Sequence, residues 1–229
     1  LRALHNFPIT GTPISIYPDL INALACVKHA AAVTNHELGL IDEARTSAIV
    51  KACEEIRQGK WHEQFVVDVI QGGAGTSTNM NANEVIANRG LELLGEQKGD
   101  YAKLHPLDHV NLSQSTNDVY PTAVKLALWF AITRLTDAMA YLRIAFEAKT
   151  IEFHDVIKMG RTQLQDAVPM TLGQEFSTYA VMLGEDEERL KEAALLIREI
   201  NLGATAIGTG INAEPEYAAL VCKHLIKVS

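Results

Sequence analysis

The sequence predicts a mainly α protein. Three observations carry that prediction: apolar residues recur at helical spacing along most of the chain, capping patterns bracket these runs, and two runs far exceed an average helix. Pro18 opens the first helix where a missing N–H costs nothing, and Leu20, Leu24, Val27 and Ala31 carry it to about Leu38. Glu43 to Gln58 reads as a second helix, ended by Gly59. Val66 to Ile70 is a short β-branched run suited to a brief extended piece. Asn81 to Leu94 reads as a third helix, with Asn81 and Glu84 in capping-box spacing and Gly95 as its stop. Asp118 is placed to cap a helix from about Val119 to Val156, with Pro121 tolerated in its first turn. At about 1.5 Å per residue this helix is roughly 55 Å long. Thr171 and Gln174 form a second capping box, opening a helix to about Ile200. Asn201 to Asn212 is glycine-rich and irregular, and Pro215 opens a last helix. Helices of this length pack side by side in bundles, often across subunits.

Composition narrows the function. At 48% apolar and 21% charged residues the chain is of globular type and long enough to bury a core. No apolar run approaches the roughly 18 residues of a membrane span. The segment Leu1 to Asn6 has neither the apolar stretch nor the cleavage site of a secretory signal, and the missing initiator Met predicts a start inside a longer protein. Cys26, Cys53 and Cys222 are far apart and form no CxxC pair, which predicts free thiols in a reducing cytoplasm and no disulfide or zinc site. The eight histidines show no metal-ligand spacing. A net charge of −8 without a Lys/Arg cluster argues against nucleic-acid binding. It also means that a dicarboxylate would have to be held by local groups, since the global field does not attract it.

Small polar residues crowd three stretches beside helix ends, where function tends to sit. The first, Gly72 to Asn83, offers flexible backbone, hydroxyls and amides ahead of a helix, and exposed amides there can receive an anion. It matches neither a phosphate loop nor a dinucleotide fingerprint. The second, Ser113-Gln114-Ser115-Thr116-Asn117-Asp118, sets five consecutive hydrogen-bonding side chains ahead of Asp118, the expected cap of the long helix. The third runs from Lys158 through Gly160-Arg161-Thr162-Gln163 to Asp166. Each has a plain structural alternative: a tight turn with capping hydroxyls, an N-cap cluster, and an inter-helix turn. Arg161 and Lys158 suit bracing at a helix junction as well as substrate contact, and Glu185 to Glu188 suits a solvated helix face.

Taken together the three stretches resemble the motifs of the aspartase/fumarase superfamily. The resemblance runs through Gly-Gly-Ala-Gly-Thr-Ser-Thr-Asn-Met-Asn-Ala-Asn-Glu-Val at 72–85, Asp108 to Asn111, Ser113 to Asp118, Met159 to Glu175 and Asn201 to Gly210. Two details resemble the aspartase branch more than the fumarases. Ser77-Thr78 stands where similar fumarases have Gln-Ser, and Gln163 where they have His. A neutral amide can bind an amino group and does not titrate.

The resemblance implies an aspartase/fumarase-like long-helix bundle, with a smaller N-terminal helical domain over 1–116 and the first part of the central bundle over 117–229. It implies reversible elimination of ammonia from L-aspartate to give fumarate through an aci-carboxylate. Thr76, Ser115 and Thr116 would donate to the β-carboxylate, Asn117 and Gln163 would hold the departing amino group, and Thr162 would contact the α-carboxylate. It further implies a homotetramer with active sites shared among three subunits, no required cofactor, and magnesium as an activator in some members. The family's third block, Gly-Ser-Ser-x-Met-Pro-x-Lys-x-Asn, which supplies the serine base, does not occur in this sequence. The 229-residue chain alone is therefore expected to be inactive. Two alternatives stay open: a fumarase or another fumarate-releasing lyase, and a non-catalytic fragment or scaffold.

Overall fold

A computed structural model describes residues 8–70 and 73–229. The chain divides into two compact units, one reaching to Leu128 and including Glu199–Ser229, the other spanning Trp129–Arg198. In the first unit, α1 (Pro18–Glu37) packs against α2 (Glu43–Arg57) and α6 (Tyr217–Val228), and α2 packs against α3 (Thr76–Leu93). Ile21, Leu24, Val27, Ala31, Ile49 and Ile56 fill the centre of this unit, joined by Ile86, Leu91 and Tyr217. These positions repeat at helical spacing, which is why the apolar pattern located α1 and α2 to within a residue or so. Asp42 caps α2 by accepting from the Arg45 amide, and Gly59 ends it in the left-handed region at φ 86°.

The extended piece expected near Val66 is present as an isolated bridge between Pro13 and Asp68. Asp68 fixes it in place, accepting from Thr10 N (2.7 Å), Thr10 Oγ1 (2.9 Å), Gly11 N (2.8 Å) and Ile70 N (2.8 Å).

Two helix starts lie earlier than the sequence suggested. Helix α3 begins at Thr76, so Asn81 lies inside it. The Asn81 carboxamide instead accepts from Val67 N (3.3 Å) and donates to Gln64 O (3.0 Å), tying the helix to the segment before it. Helix α4 (Thr116–Glu152) begins before Asp118, whose carboxylate reaches back to the Ser115 amide (2.9 Å).

The second unit contains the greater part of α4, a two-stranded antiparallel hairpin of β1 (Ile157–Thr162) and β2 (Gln165–Thr171), and α5 (Leu172–Leu196). Helix α4 is 37 residues long. The hairpin was not expected from the sequence. Both strands are largely exposed, so they lack the apolar alternation that marks a half-buried strand. Phe146 of α4 and Phe153 just after it meet Phe176 and Tyr179 of α5, with Arg143 paired to the buried Glu187 at 2.8 Å. The capping box read from the sequence is present: Thr171 Oγ1 accepts from Gln174 N (3.1 Å), and Gln174 Oε1 accepts from Thr171 N (2.9 Å). Thr171→Ala is expected to cost about 1 kcal/mol and Thr171→Ser far less, read from urea midpoints. Equal midpoints for the two variants would contradict this capping role.

Candidate functional site

Two of the three polar stretches meet in the first unit. Gly75 precedes α3 at φ 86°, and a Cβ there would lie 2.2 Å from the Tyr120 ring. Glycine is needed twice over, for the left-handed backbone and for the ring's approach. Tyr120 belongs to the first turns of α4, so its packing on Gly75 brings the start of α3 to the start of α4. Thr76 is the exposed first residue of α3, followed by the buried Ser77, Thr78 and Asn79.

Asn79 makes the connection. Its Nδ2 donates to Thr116 Oγ1 (3.1 Å) and to Asn111 Oδ1 (3.1 Å). Asn111 Oδ1 also accepts from Asn83 Nδ2 (3.1 Å) and Lys28 Nζ (2.8 Å). Lys28 donates further to Gln114 Oε1 (2.9 Å), and Gln114 Nε2 reaches the carbonyls of Val110 and Leu112 (3.0 Å each). Lys28 is fully buried. Burial pushes its ammonium down to about 7, while the charge of Asp118 and then that of Cys53 act in the opposite direction.

The hydroxyls are thereby oriented. Thr116 Oγ1 accepts from Asn79, and Ser115 Oγ accepts from the Asn117 amide (3.3 Å), so each residue has its O–H hydrogen left to donate. Asn117, exposed, donates Nδ2 to Ala206 O (2.7 Å) and accepts at its main-chain oxygen from Asn201 Nδ2 (3.0 Å). Asp118, fully buried, accepts from Ser115 N at one oxygen and from Gly203 N and Thr205 N (3.0 Å each) at the other. The result is a set of O–H donors beside two helix N-termini, an arrangement that favours an anion.

Thr162 and Gln163 lie in the second unit, both exposed. Thr162 ends β1, opposite Gln165. Gln163 (φ 37°) and Leu164 (φ 64°) form the two-residue tip of the hairpin, with both residues left-handed. Arg161 pairs with Asp166 (3.1 Å) and Lys158 with Glu175 (2.5 Å), which matches the bracing reading of both cations. Among the described residues no cluster of three metal-ligating side chains occurs.

The sequence reading missed Lys28, and it gave no individual role to Asn79 and Asn83 within the first polar stretch or to the segment Asn201–Ala206. Lys28 carried a signal: it is the one cation in an otherwise small and apolar stretch of α1 from Ala23 to Val27 and Ala30 to Ala32. The contact of residues 201–206 with Asn117 carried none, since it joins positions more than eighty residues apart.

The family described as Lyase matches residues 1–229. Aspartate ammonia-lyase of Pseudomonas fluorescens is 58% identical over 230 residues, covering 100% of this chain and 48% of the relative. The enzyme of the same name from Escherichia coli strain K12 is 53% identical, with the same shares covered. A solved fumarate lyase:delta crystallin from Brucella melitensis superposes with a TM-score of 0.96 at 57% identity, over 99% of this chain and 49% of that one. A class II fumarase from Schistosoma mansoni gives 0.91 at 38% identity, over 99% and 48%. The chain thus spans about half the length of the curated relatives it matches.

The depressed Lys28 value has a consequence for stability. Between about pH 7 and 10.5 the unfolded chain holds a proton at this position that the folded chain has released, so stability rises with pH across that window. The wild type is expected to gain on Lys28→Met as pH climbs through it. A difference in urea midpoint that stays flat from pH 7 to 10.5 would contradict the assignment.

Proposed function

This chain belongs to the lyase family, and from that premise we propose that the whole protein eliminates ammonia from L-aspartate to give fumarate. The observation that carries the reading is the pair of hydroxyls at Ser115 and Thr116, each accepting an N–H at its oxygen and each with an O–H to give. Removing the proton beside the β-carboxylate leaves a carbanion that survives only if its charge spreads into that carboxylate. The resulting dianionic aci-carboxylate needs preorganised donors, which act most strongly when they are fixed before the charge develops. Thr76, Ser115 and Thr116 supply them in this proposal. Asn117 and Gln163 hold the amino group, and Thr162 contacts the α-carboxylate.

The names of the relatives support the aspartase branch over a fumarase: those called aspartate ammonia-lyase reach 53% and 58% identity, against 38% for the fumarase. The absent serine block supports a site whose base lies outside these 229 residues.

The proposal extends to assembly and setting. We take 117–229 as the first part of a central bundle domain and 1–116 as a smaller N-terminal domain. A homotetramer would cover Leu135, Leu142, Ile144 and Ile151 of α4 and Val181 and Leu195 of α5, all of them exposed. A cytoplasmic setting suits the three free thiols. No helix among the described residues is long and apolar enough to cross a membrane. The chemistry asks for no organic cofactor, and magnesium is held as an activator only.

A chain of the relatives' full length is expected to raise the ultraviolet absorbance of fumarate from L-aspartate and not from L-malate. The 229-residue chain alone should be silent. Signal from L-malate would overturn the assignment of the leaving group, and fumarate from the 229-residue chain would overturn the assignment of the base. Within the active protein, Thr116→Val should lower kcat by about a hundredfold, with little change in KM. A loss confined to KM would instead make Thr116 a ground-state contact.

A further inference from the structure

Asn117 presents only half of its carboxamide, and the segment Asn201–Ala206 decides which half. A carboxamide can turn over and exchange donor for acceptor with almost no change of shape. Here Nδ2 sits 2.7 Å from the Ala206 carbonyl oxygen. Turning the amide over would set two acceptor oxygens against each other at that distance, so Oδ1 is held pointing away from Ala206, as an acceptor. The segment that imposes this is itself fixed from three sides. Asp118 Oδ2 takes the amides of Gly203 and Thr205, Asn201 Nδ2 binds the Asn117 main-chain oxygen, and Gly203 lies against α6. At Gly203 (φ 92°) a Cβ would approach Ala218 to 2.6 Å, and Thr205 is held at φ 58° although it is not glycine. Asp118 also binds Ser115 N, so one carboxylate grips the chain two residues before Asn117 is reached and the segment its side chain touches.

We propose that residues 201–206, clamped by Asp118, form a positioning element that fixes the Asn117 carboxamide with Oδ1 as an obligate acceptor. Through it the site prefers a substrate carrying an ammonium over one carrying no donor at the same carbon. Asn201 is a positioning residue that acts through Asn117, and Asp118 positions the same segment at Oδ2 while holding Ser115 N at Oδ1. The inference rests on the proposed function for the identity of the substrate, but it concerns residues that the function by itself does not require.

The test uses a chain of the relatives' full length and two variants. Asn201→Ala removes the exposed bond to the Asn117 main chain and leaves the core untouched. Gly203→Ala pushes the segment off Ala218. Two ligands are compared: L-aspartate, through its KM, and succinate, a dicarboxylate without an amino group, through its inhibition constant. Both variants should raise KM for L-aspartate by about tenfold, the weight of one hydrogen bond to a charged group, and shift the succinate constant less than about twofold. Parallel changes for both ligands would mean a general loosening of the site, and no change in Asn201→Ala would mean that Asn117 holds its orientation unaided; either result overturns the inference while leaving the proposed function standing. A wild type that releases no fumarate from L-aspartate overturns both. Asp118→Asn, which offers an N–H where two amides need an acceptor, should reproduce the selective rise in KM if it remains folded by circular dichroism.

Discussion

The carboxamide oxygen of Asn111 accepts from three side chains at once, Lys28 on α1 and Asn79 and Asn83 on α3. It ties together the first helix, the helix that follows the glycine-rich stretch, and the loop that leads into the longest helix. The same Asn79 amide that reaches Asn111 also reaches Thr116. The orientation of a surface hydroxyl is therefore set by a buried network, and the network in turn depends on a lysine with no carboxylate among its hydrogen-bond partners.

Such a core is costly. Lys28 is fully buried, and burial holds its ammonium near 7. Asn79 Oδ1 and Asn83 Oδ1 are buried without a partner among the described residues. An apolar core of the same volume would be more stable, since an unsatisfied buried polar atom costs roughly 1–3 kcal/mol. A chain that spends stability on fixed donors and acceptors at a surface-reaching cluster has the physical character of a binding or catalytic site.

The first unit concentrates this local design, whereas the charge of the whole chain opposes an anionic ligand. With a net charge of −8, attraction of a dicarboxylate at long range is absent, and two helix N-termini with oriented hydroxyls must act at contact distance. Helix length serves the same end. Asn79 and Thr116 lie in the first turns of α3 and α4, and the start of α4 is buried at Asp118, Val119, Thr122 and Ala123, so these two side chains stand on helices and not on free loops.

The sequence by itself determined the helices whose signals are local: Pro18 at the start of α1, Asp42 and Gly59 around α2, Gly95 after α3, and the Thr171–Gln174 box of α5. It also determined that the polar stretches around Thr76 and Ser115 to Asn117 lie at helix starts, because caps and hydroxyl clusters are read within a few residues. Only the tertiary structure decided where α3 and α4 truly begin, since Gly75 is forced by the ring of Tyr120 and Asp118 is recruited by amides eighty-five residues away. It alone decided the hairpin between α4 and α5, whose exposed strands carry no periodic signal and whose tip needs two left-handed residues that are not glycine. The partners of Lys28, and the way Ala206 turns the Asn117 amide, belong to the same class: the apolar run around Lys28 marks it as unusual, but each is a contact between distant segments whose partner no local pattern names.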